Sequence, residues 1–228
     1  GLSFLGAEFL QGGVDLSAYI DTLAAIISGL AALALVSVYS GFKVLEYEQG
    51  FVLTSHITPR QYLLAGLLAD MVVLILFFNM VPIIFMILAI RLALTITSIL
   101  VMLSSFLFFV FFIGFLKYSL SIHASIYEGI WLRVVTSVVI VVLLLPVASL
   151  FSPFPIKYSA LPYPTTLLAW CILESLSNRL PTGSFLGLGL YFLALLIIFL
   201  MSSRRNFFPF ANPVPLMSPF DSSVRMQS

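Results

Sequence analysis

Nineteen charged side chains, ten basic and nine acidic, are spread through 228 residues, and the few that could do chemistry lie far apart. Glu46 and Glu48 stand two apart, followed by Gly50, Leu53, His56, Ile57, Thr58, Pro59 and Arg60. Asp70, Asn79 and Glu174 are polar positions set in or against apolar runs. The two histidines, His56 and His123, lack the H-E-x-x-H spacing that puts two metal ligands on one helical face. The single cysteine, Cys171, can form neither an internal disulfide nor a thiolate cluster, and its apolar surroundings suit a packing role. There is no G-x-x-x-x-G-K-[ST] loop to cradle a phosphate, and no Ser, His, Asp or Cys set at a spacing that would activate a nucleophile. The chemistry open to these residues is recognition and charge placement rather than bond making. No enzyme, no metal and no cofactor bound by this chain are expected.

The elements that must position them are set by composition. Hydrophobic residues make up 61% of the chain and charged residues 8%, too few charges to cover a soluble surface. Several apolar runs approach the roughly 20 residues that a helix needs to cross about 30 Å of hydrocarbon. A helix satisfies its own backbone there, which lipid cannot do for it. The expectation is an all-α, polytopic membrane protein. A net charge of +1 from scattered basic residues excludes a nucleic-acid partner, which needs a clustered cationic surface.

Five crossings are expected, over 17–41, 63–89, 94–116, 134–150 and 185–203, forming a transmembrane domain of residues 1–205. Asn79 and Pro82 predict a kink in the second. Arg91 marks a short turn, and a polar interval from Lys117 to Arg133 is expected to follow the third span. Pro153, Pro155, Pro162 and Pro164 stop the fourth. Residues 165–176, with Trp170 and Glu174, are too few to cross and predict a short re-entrant or interfacial helix. The tail, 206–228, is rich in Pro and Ser and is expected to be largely unstructured or to lie along the surface. Gly183 and Gly187 form a small-xxx-small pair that can let two helices approach closely. Basic residues favour a cytoplasmic 43–62 loop, with seven inside against three outside, and hence a cytoplasmic C-terminus.

The most informative stretch is Phe42 to Asp70, FKVLEYEQGFVLTSHITPRQYLLAGLLAD. Thr58 is a good N-cap, Pro59 suits the first helical position and Gln61 stands where a capping-box partner belongs. A defined elbow over 43–62 is the consequence. Two carboxylates near a helix C-terminus oppose the macrodipole, so Glu46 and Glu48 invite an outside partner.

This stretch resembles the permease subunits of type-2 ATP-binding-cassette exporters where those turn between their second and third transmembrane helices. The likeness is carried by Glu46, Glu48, Gly50, Leu53, Thr58, Pro59, Arg60, Leu63, Leu64 and Gly66. It departs from the usual pattern at Gln49, where Arg is common, and at Leu67, where many members have Lys. The resemblance implies a first transmembrane helix ahead of this sequence, making six crossings. It implies that the elbow is a coupling helix docking on a separate ATPase subunit, with His56 and Ile57 in the docking surface. ATP and magnesium then belong to that ATPase, and a second permease copy completes a homodimer or heterodimer in the plasma membrane. Asp70, Asn79 and Glu174 are the candidates for a translocation path. Two other readings stand beside it: an ion-coupled secondary transporter resting on Asp70 and the Asn79–Pro82 break, and a structural or assembly subunit of a larger membrane complex.

Overall fold

In the computed structural model, residues 16–36, 43–45, 50, 57–77, 87, 90–126, 130–151, 157–204 and 212–214 are described. They form six helices: α1 (Leu16–Leu35), α2 (Pro59–Phe77), α3 (Ile96–Ile126), α4 (Ile130–Leu150), α5 (Pro164–Leu176) and α6 (Thr182–Ser202). Four are long and apolar enough to cross a membrane, over Ser17–Leu35, Ile96–Ile126, Arg133–Leu150 and Thr182–Ser202, and Pro164–Leu176 is a shorter apolar helix. The protein is therefore a multi-pass, all-helical membrane protein. The second expected crossing corresponds to α2, described as helix as far as Phe77; the Asn79–Pro82 kink lies outside the described residues.

Proline punctuation sets two helix starts. Pro59 opens α2 and Pro164 opens α5, because a fixed φ suits the first turn and the missing N–H is not needed there. Helix α5 ends in a Schellman motif: Asn178 takes the left-handed conformation (φ 55°), the Arg179 N–H donates to the Glu174 carbonyl at 2.9 Å, and the Asn178 N–H donates to Ser175 at 3.0 Å. The Asn178 side chain then accepts from the Thr95 N–H at 2.9 Å, tying the end of α5 to the start of α3.

Helix α5 is also the hub of the packing. Leu167, Leu168 and Ile172 are buried with Ala31 and Leu35 of α1, Met102, Phe109 and Phe112 of α3, and Leu188 of α6. Ala169 and Leu173 are buried with Ile20 and Ala24 of α1. At 13 residues it is about 20 Å long, short of a crossing. It is thus a short apolar helix packed among the longer ones.

Two segments carry regular structure that the sequence did not indicate. The polar interval after the third span is helical as far as Ile126, so α3 has 31 residues and measures about 46 Å, well beyond a bilayer core of about 30 Å. The tail, expected to be largely unstructured or to lie along the surface, contributes strand β2 (Asn212–Val214), which pairs in parallel with β1 (Lys43–Leu45). The tail and the elbow therefore meet through this pairing.

Candidate functional site

The elbow leads into α2 through a reciprocal cap. The Gln61 N–H donates to Thr58 Oγ1 at 3.3 Å, and the Thr58 N–H donates to Gln61 Oε1 at 2.9 Å. Each side chain satisfies a backbone donor that the first turn leaves without a partner. Around this cap Gly50, Ile57, Thr58 and Arg60 are exposed, and a Cβ at Gly50 would meet open space. Glu46, Glu48, Leu53 and His56 lie outside the described residues.

Beyond the cap, α2 is fastened to α3 and α6. Leu63 and Leu67 are buried with Phe115, Tyr118, Ile122 and Phe199, and the Phe115 and Phe199 rings stack at 5.1 Å. One turn further, Asp70 Oδ2 accepts from the Tyr118 hydroxyl at 2.9 Å and pairs with Lys117 Nζ at 3.4 Å. The lysine and the carboxylate keep 35% and 45% of their side-chain exposure, so water or headgroups reach both. Asp70 is thus a paired and hydrogen-bonded carboxylate rather than a bare charge.

Of the three residues named for a translocation path, the two that are described, Asp70 and Glu174, do not come together. Asn79 lies outside the described residues. Glu174, half-buried, belongs to the last turns of α5, whose end is tied to Thr95 at the start of α3. Asp70 meets α3 at Lys117 and Tyr118, 22 and 23 positions beyond Thr95, so the two carboxylates sit at opposite ends of that helix.

The segment leading into α5 is fastened by hydrogen bonds that the sequence did not foreshadow. Asp21 accepts from the Ser159 N–H at 2.7 Å, Trp170 Nε1 donates to the Ser159 carbonyl at 3.0 Å, and the Tyr191 hydroxyl donates to Pro162 at 3.1 Å. Pro146 lies inside α4 and cannot donate to the carbonyl four residues back, that of Val142. The Tyr163 hydroxyl donates to that carbonyl instead. A proline within an apolar run was the available signal; which hydroxyl answers it is a matter of tertiary packing. Burial, with Tyr158 and Tyr191 nearby, pushes the Tyr163 phenol up to about 12, so it remains a donor at neutral pH.

Two further positions are resolved by contact. Gly187 faces α5, where a Cβ would lie 3.0 Å from Leu167 Cδ1, while a Cβ on Gly183 would meet nothing within 4 Å. The close approach at Gly187 is therefore made within the chain. Cys171 is fully buried, as a packing residue should be. Comparison with known proteins gives no match, whether to a family model, a curated protein or a solved structure.

Proposed function

We propose that this chain is the permease subunit of an ATP-driven exporter, moved by a separate ATPase through the elbow at 43–62. The observation that carries the reading is the run from the Thr58–Gln61 cap into a helix fastened to α3 and α6. A push on Ile57, Thr58 or Arg60 enters α2 at a stiff first turn rather than a fraying one. It passes to α3 through the Leu63 and Leu67 contacts and the Asp70–Tyr118 bond. The resemblance at Glu46, Glu48, Gly50 and Pro59 supplies the family, and the basic-residue bias supplies the orientation, with elbow and tail in the cytoplasm. ATP and its magnesium sit on the partner. Asp70 is already held by Lys117 and Tyr118, which leaves less to support an ion-coupled carrier.

The test is copurification and coupling. The chain solubilised from its own membranes should bring down an ATPase. The Ile57→Asp, Pro59→Ala double variant should then separate hydrolysis from transport while the membrane part stays folded. Transport driven by a proton or sodium gradient without ATP, or full coupling in the double variant, would end this reading.

A further inference from the structure

We infer that the exposed face of α4 seats one anionic phospholipid, its phosphate on Arg133 and an acyl chain along the valines beyond it. A groove of about 350 Å³ runs along this helix, lined by Arg133, Val134, Ser137, Val138, Val141 and Val142. The four valines are exposed and recur at positions that share one helical face. Valine has one strongly preferred rotamer in a helix, so the wall is smooth and fixed, as an acyl chain requires.

Polarity is confined to one end. Arg133 is exposed in the first turns of α4, and among the described residues its side chain has no hydrogen bond or ion pair. Its guanidinium matches a phosphate in a forked geometry, and the helix N-terminus adds positive potential there. Ser137 is committed to the Arg133 carbonyl at 2.7 Å, leaving the guanidinium as the headgroup contact. At the other end the groove stops at Val142, whose carbonyl is taken by Tyr163.

A second copy fits this face poorly. Two chains related by a two-fold axis along the membrane normal would bring both Arg133 side chains to the same depth, and like charges facing each other are unfavourable. A lipid phosphate neutralises the same charge. An anionic lipid is preferred over a zwitterionic one because, among the described residues, no acidic side chain lines the groove to offset Arg133.

The experiment is native mass spectrometry of the protein purified in detergent with equal dioleoyl-phosphatidylglycerol and dioleoyl-phosphatidylcholine. Wild type should retain one phosphatidylglycerol about tenfold more often than phosphatidylcholine, because both offer a phosphate to Arg133 but the choline ammonium of the second offsets that charge and opposes the guanidinium. Arg133→Gln, on an exposed position that should not disturb folding, should bring the two lipids to parity. Val138→Trp should lower retention of both by filling the groove. Parity in the wild type, or an unchanged preference in Arg133→Gln, overturns the proposal. So does efficient cross-linking between copies through Val138→Cys in a Cys171→Ser background, which would make this face an interface between chains.

Discussion

The Tyr163 hydroxyl donates to the Val142 carbonyl, the acceptor that Pro146 strands one turn down α4. Lipid offers that carbonyl no other donor. Tyr163→Phe should therefore destabilise the protein by about 1–3 kcal/mol, the cost of an unsatisfied acceptor. Pro146→Ala restores the helical donor, so the double variant should recover most of the loss. A double-mutant cycle by thermal unfolding in detergent measures this; additive losses would show that the two residues are not linked. The raised phenol pKa sets the pH window: stability from this bond is fully present below about pH 10, the ordinary tyrosine value, and lost as the pH rises through about 12.

Asp70 is held by two groups of unequal worth. The Tyr118 hydrogen bond ends on a carboxylate and lies against a buried cluster, so Tyr118→Phe should cost about 1 kcal/mol or somewhat more. The Lys117 ion pair is open to its surroundings, and its coupling energy should fall at or below about 1 kcal/mol and weaken with salt. Unfolding of the single and double alanine variants at low and high ionic strength distinguishes the two.

The glycines of α6 should respond oppositely to enlargement. Gly187→Val drives a branched side chain onto Leu167 and should destabilise by about 1–3 kcal/mol, whereas Gly183→Val enters open space and should cost only helix propensity, under about 1 kcal/mol. Cys171, the single thiol and fully buried on α5, is a built-in reporter. Maleimide labelling should be slow in wild type and in Gly183→Val, and faster in Gly187→Val as α5 is pushed from its seat.

Removing the cap should loosen the start of α2 without dismantling the bundle. Thr58→Ala and Gln61→Ala should each cost about 1 kcal/mol, and the pair less than the sum, because the two bonds are reciprocal. Hydrogen exchange at Gln61 to Leu63 should rise in all three variants. Unchanged protection there would mean that the cap does not stiffen the entry to α2.

What could be read from the residues alone follows from how local each cause is. Thr58, Pro59 and Gln61 specify a helix start within four positions, and the structure begins α2 there. Pro164 does the same for α5. That α3 continues as helix past 116, the expected end of its crossing, was not legible in the polar composition of the interval that follows. Here Ser125 donates to the Ser121 carbonyl and His123 Nδ1 bonds that of Ser119, so the polar groups are spent on their own helix. Asp70 stood out as a carboxylate in an apolar run, but its partners on α3 depend on how two helices seat against one another. The close packing of Gly187 was legible as a motif; its partner, Leu167, was not.

The parallel pairing of Lys43–Leu45 with Asn212–Val214 joins segments about 170 residues apart. During synthesis at about 5–20 residues per second, the earlier strand waits on the order of ten seconds or more for the later one to leave the ribosome. Every spanning helix must be inserted before this contact can close. The pairing is thus a late step of biogenesis, and a chain that stops short of Asn212 would leave the approach to the elbow without its strand neighbour.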